Sequence, residues 1–109
     1  MDLLEIHDLF TIIAALSLES CGFADPGQGW RLAADGDVAR DGRLPILTFG
    51  GSKARGDVGG ATGVYQVAEA TLQLQGRANE NQVEDAQAAM TQCLGGLGAS
   101  CATHILQRA

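Results

Sequence analysis

Apolar positions in this chain come in short bursts, and their spacing changes from one burst to the next. Asp2-Leu3-Leu4-Glu5-Ile6-His7 is too short for a helix and reads as a strand or extended segment. Asp8 offers a side-chain oxygen as N-cap to the helix that follows, and Gly22 suits the position just past its end. Between them, to about Cys21, Leu9, Ile12, Ile13, Leu16 and Ser20 share one helical face, and Thr11, Ala14, Ala15 and Leu18 share the other. Glu19 is the only charge after Asp8, so this helix has too little polar surface for water and needs cover on more than one side.

Residues 22–44 form a polar excursion, with Asp25-Pro26-Gly27, Asp35-Gly36-Asp37 and Asp41-Gly42 as turn signals and a helical turn over Trp30–Ala34. Leu44–Phe49 reads as a short strand stopped by Gly50-Gly51. A second helix is predicted from Ala61 to Gln75, closed by Gly76, with Val64, Val67, Ala68, Thr71 and Leu72 as its apolar stripe and Gln66, Glu69 and Gln73 as its polar side. Asn79–Asp85 is a polar connection. Ala86–Gln92 and Ser100–Gln107 read as two strands of a hairpin joined through Gly95–Gly98. The order of elements makes an α/β unit with a mixed sheet and packed helices.

At 109 residues the chain is one small domain, and with 46% hydrophobic and 18% charged residues it is globular in composition. Aromatics are only 5%, so the core must be aliphatic. A net charge of −6 argues against a nucleic-acid binder, which needs a basic face, but leaves a phosphate-bearing ligand open. No segment approaches the ~20 apolar residues of a membrane span, and Met1-Asp2-Leu3-Leu4-Glu5 lacks the basic start of a signal peptide. Cys21, Cys93 and Cys101 are an odd set without metal-ligand spacing, which suits reduced thiols in the cytoplasm rather than a disulfide framework or a zinc site.

Two stretches are dense in glycine: Gly56-Asp57-Val58-Gly59-Gly60-Ala61-Thr62-Gly63 and Cys93-Leu94-Gly95-Gly96-Leu97-Gly98. Glycine loses the most backbone freedom on folding, so such density points to close approach of backbone to a ligand or to positive φ. With their neighbours these stretches resemble the C-terminal part of a thiolase. His7-Asp8-Leu9-Phe10 resembles the His-Asp-x-Phe motif of archaeal-type and sterol-carrier thiolases. Gly60-Ala61-Thr62-Gly63 resembles the end of the Gly-His-Pro-x-Gly-Ala-Thr-Gly loop, preceded by Lys53-Ala54-Arg55-Gly56, and His104-Ile105-Leu106 completes the ordered match. The resemblance covers residues 1–109 and implies part of the C-terminal half of the thiolase fold, without the N-terminal half that carries the nucleophilic cysteine.

The resemblance assigns His7 to an oxyanion site, where a neutral imidazole donates a hydrogen bond; its alternative is a histidine capping or packing at a strand end. Asp57 stands where the family has the histidine that activates the thiol, and Val58 where it has proline. An ionised aspartate only accepts hydrogen bonds and repels a thiolate, so Asp57 is a solvated turn residue unless burial keeps it protonated. Cys93 stands at the position of an acid/base cysteine, or is an inert buried thiol. Gly59, Gly60, Gly63, Gly95, Gly96 and Gly98 shape the substrate and oxyanion loops, and Lys53 and Arg55 are placed to attract CoA phosphates or to form a solvated face. Cys21, Cys101 and His104 read as ordinary structural residues.

The resemblance therefore implies an acyl-CoA acyltransferase domain that takes acyl-CoA as substrate, uses no cofactor or metal, and is inactive without an N-terminal partner chain. The alternatives are a non-catalytic acyl-CoA- or lipid-binding or structural subunit, and a component of a thiolase-like aldolase. Self-association, a complementary N-terminal chain and a small zinc-ribbon/OB-fold protein are the partners it implies; nucleic acid and membrane are not among them.

Overall fold

The computed structural model describes residues 1–109, the side chain of Leu97 excepted. Strand β1 (Leu3–Glu5) is followed by helices α1 (Thr11–Ser20), α2 (Gly29–Ala34), α3 (Gly51–Arg55) and α4 (Thr62–Leu74), then by strands β2 (Ala88–Gly95) and β3 (Ser100–Gln107). The three strands form one mixed sheet in the order β1-β2-β3. β1 lies parallel to β2, with Leu4 opposite Met90, and β2 pairs antiparallel with β3, with Thr91 opposite His104. A parallel pair cannot be closed by a tight turn, and all four helices are spent on the crossover between β1 and β2.

Alternation along β1 sends neighbouring side chains to opposite faces of the sheet. Leu3 joins Ala89, Leu106, Val83 and Ala86 and the α4 residues Ala70 and Leu74 on one face. Leu4 and Ile6 join Met90, Leu44, Leu18 of α1 and Leu32 of α2 on the other. The result is a helix–sheet–helix sandwich whose two small aliphatic cores share a strand. No helix is long and apolar enough to cross a membrane.

Several expectations change. Leu44–Phe49 is not a strand: only Ile46 bridges to Leu4, flanked by hydrogen bonds from Leu4 N to Pro45 O and from Leu47 N to Leu4 O, both 2.9 Å. Pro45 has no N–H to give, and Leu47 turns to a φ of 51°, so the ladder stops after one rung. Asp8 does not cap α1, whose N-cap is Phe10 without a side-chain bond. Its carboxylate instead accepts from Ser52 N at 2.6 Å and Lys53 N at 3.3 Å, capping α3, a helix the sequence pattern did not predict.

The polarity of α4 is also reversed. Gln66, Glu69 and Gln73 point inward and are buried, while Val64, on the expected core stripe, is 71% exposed. The sheet and loops accept the amide protons of Gln66 and Gln73, although Gln66 Oε1 meets no partner among the described residues. Gln66 Nε2 donates to Gln92 O at 3.0 Å, and Gln73 Nε2 donates to Thr48 Oγ1 at 2.7 Å and Asn81 O at 2.6 Å. Gln73 Oε1 accepts from Val83 N at 2.8 Å. In α1 the buried residues are Ser17 and Leu18, and Ile12 and Leu16 face outward.

Candidate functional site at the sheet edge

Four segments converge beside the α4 face of the sheet. His7 follows the end of β1, Asp57 sits between α3 and α4, Gly63 lies in the first turn of α4, and Cys93 lies near the end of β2. Together with Gly59, Gly60, Gly95, Gly96 and Gly98 they line a single cavity of about 1120 Å³. His7, Asp57, Cys93 and the six glycines singled out in the sequence are therefore brought to one place, while Lys53 and Arg55 lie outside the cavity lining. Among the described residues no group of three or more His, Cys, Asp or Glu side chains is arranged to hold a metal.

The geometry distinguishes their chemistry. Asp57 Oδ1 accepts from Thr62 Oγ1 at 2.8 Å and from Gly59 N at 3.3 Å, so the carboxylate organises its own loop at the start of α4. A Cβ at Gly63 would come within 3.3 Å of both Cβ and Sγ of Cys93, so glycine there lets the helix start close against the thiol. Burial, and after it the Asp57 carboxylate and Cys101, push the Cys93 thiol above its usual range, against a smaller opposite effect of the Gly63 N–H. Cys93 thus stays a thiol at neutral pH, able to give a proton and poor as a nucleophile. We expect iodoacetamide at neutral pH to label the exposed Cys101 faster than Cys93, and Asp57→Asn to speed Cys93 labelling; mass mapping of the modified peptides reads both, and equal rates in the parent would contradict this.

His7 is half-buried, and its Nδ1 is buried without a partner. Arg55 departs from the phosphate-attracting role open to it in the sequence. Its Nε and Nη2 reach Glu69 Oε1 and Oε2 at 2.9 and 3.4 Å, and its guanidinium stacks 4.8 Å from the Tyr65 ring centre. Lys53 remains exposed.

His104, an ordinary strand residue by its sequence context, also lines the cavity, with Nδ1 3.4 Å from Thr91 Oγ1. The missing signal was strand register: pairing with Thr91 puts His104 on the same face as Cys93, two residues along β2. The surface around the cavity is apolar, with Phe10 54%, Val64 71% and Tyr65 44% exposed.

A family model described as thiolase C-terminal domain-like matches residues 1–108. The chain is 45% identical to an acetyl-CoA acetyltransferase of Methanothermobacter thermautotrophicus over 108 residues, which are 99% of this chain and 28% of that protein. It is 38% identical to sterol carrier protein 2 of Homo sapiens over 103 residues, 94% of this chain and 19% of that one. Among solved structures, a chain of the Ltp2-ChsH2(DUF35) aldolase matches with a TM-score of 0.87 and 28% identity, over 99% of this chain and 27% of that chain. The chain spans less than a third of the length of each of these relatives.

Proposed function

The chain belongs to the thiolase family as a C-terminal domain, and from that premise we propose that it forms one wall of an acyl-CoA site and needs an N-terminal chain to complete it. The observation that carries this reading is the cavity. It gathers His7, Cys93 and two glycine turns but opens beside exposed apolar side chains, Val64 above all. In the completed site the partner supplies the nucleophilic cysteine. His7 donates toward the thioester oxygen through a ring N–H, and the Cys93 thiol exchanges a proton at Cα of the acyl group. Asp57 cannot perform the thiol-activating step of a histidine while its carboxylate accepts from Thr62 and Gly59. A reducing, cytoplasmic location agrees with three free cysteines.

That same aspartate favours a second reading, in which the domain binds acyl-CoA without turnover or serves a thiolase-like aldolase, the class named for its structural neighbour.

The isolated chain is expected to show no thiolysis of acetoacetyl-CoA, and measurable turnover by the purified chain would overturn the need for a partner. The N-terminal portion of the Methanothermobacter relative, produced separately, serves as the partner probe. Val64→Asp should weaken its binding at least tenfold while changing the stability of the chain by no more than about 0.5 kcal/mol, as for an exposed position. Unchanged affinity would remove this face from the proposed interface. Saturable binding of an acyl-CoA without turnover, in the mixture as well as alone, would favour the second reading.

A further inference from the structure

Glu5 is fully buried in β1, and neither of its carboxyl oxygens meets a hydrogen-bond donor among the described residues. An ionised carboxylate only accepts hydrogen bonds, and one buried without donors is strongly disfavoured. Three charged groups act on it, and His7 follows two residues along on the same face. Glu69 of α4 is close enough to share a hydrogen bond with it, and Arg55 of α3 and Asp8 act on it through their charge. From β2 the residue directly opposite is the uncharged Thr91. Arg55 already holds Glu69 through two nitrogens, and Asp8 is committed to the N–H groups of Ser52 and Lys53. Two carboxyl groups thus meet over one guanidinium, and a bond between them requires a proton.

We propose that Glu5 is kept as the neutral acid and donates its proton to the Glu69 carboxylate, so that Glu5, Glu69 and Arg55 form a strut behind the cavity. The strut joins β1, which leads to His7, to α4, which begins at the Gly63 loop, and to α3, which leads to Asp57. Glu5 is in this sense a positioning residue, and the inference does not depend on which reaction the cavity serves. Burial first, and then the Glu69 charge, push the Glu5 carboxyl from 4.5 to about 9. Because the folded value is raised, the folded chain holds one proton more than the unfolded chain between those two values. Stability from this site is therefore complete below the unfolded value and declines as pH rises towards 9.

The test uses the full chain and Glu5→Gln, whose amide keeps the shape and can donate to Glu69 without titrating. Urea unfolding between pH 5 and 9 should show the parent's unfolding constant rising more steeply with pH, by up to tenfold per unit, than that of Glu5→Gln. At pH 8 Glu5→Gln should be the more stable of the two. Glu5→Leu, which has no donor, should not reproduce this gain. Infrared difference spectra of the parent at pH 7 should contain a protonated-carboxyl C=O band that Glu5→Gln lacks. The same pH slope in parent and Glu5→Gln, or no such band in the parent, would overturn the proposal.

Discussion

Gly29→Ala should lower the free energy of unfolding by about 3 kcal/mol, at the upper end of what overpacking does. A Cβ at this position would stand 2.3 Å from Ala15 O and 3.0 Å from Ala15 C and Glu19 Oε1. The first two are backbone atoms of α1, so relief requires α1 and α2 to move apart rather than a side chain to turn. Moving them strains a second set of bonds. Glu19 Oε1 accepts from Gly29 N at 2.8 Å and Oε2 from Gly27 N at 2.9 Å, which together close the start of α2 onto α1. Leu18 and Leu32, one from each helix, lie in the same core cluster and would lose contact with the sheet together. The measurement is the urea midpoint at unchanged slope. A loss below about 1 kcal/mol would mean that the helices separate without disturbing that core.

Asp8→Ala should be comparably damaging, at about 2–3 kcal/mol, because it leaves the buried Ser52 N–H without an acceptor and removes a charge-assisted cap. Asp8 is 4% exposed. Its oxygens hold Ser52 N and Lys53 N, and a Cβ at Gly51 would lie 2.6–2.8 Å from the carboxylate, so the turn is closed tightly around it. Asp8→Asn keeps one acceptor but points an NH₂ at the second N–H, so about half the loss should return. Hydrogen exchange at Ser52 and Lys53 provides the local readout. If Asp8→Ala left their protection unchanged, the cap would contribute nothing. The effect should also reach the site, since α3 leads directly to the Asp57 loop.

These two positions show how far a sequence can be read. Asp8 was legible as a capping residue, because a short acidic side chain beside an apolar helical pattern suits that role. Which helix it caps was not legible, because the partner lies 44 residues away in a segment that reads as strand and turn. Gly29 carried no local signal beyond its place among turn residues, since its reason is the backbone of another helix. The candidate site was more readable. His7, Asp57, Cys93 and the glycines belong to ordered motifs, and the fold brings all of them to one cavity. His104 and Arg55 were not, because one depends on strand register and the other on a carboxylate 14 residues along.

By itself the sequence determined what local chemistry can determine: two main helices, a glycine-turned hairpin and an α/β order, to which its ordered motifs added a family resemblance. The tertiary structure alone decided which way those elements face. A helical period separates the polar side of α4 from its apolar side, but does not say which one meets the sheet. Inward Gln66 and Gln73 are acceptable only because carbonyls and a hydroxyl from distant segments receive their amide protons. The apolar side of α4 is then left outward, around the cavity. Burial and hydrogen-bond satisfaction are properties of the assembled fold, and for this reason they set the direction of the helix, the proposed protonation of Glu5 and the apolar face left exposed.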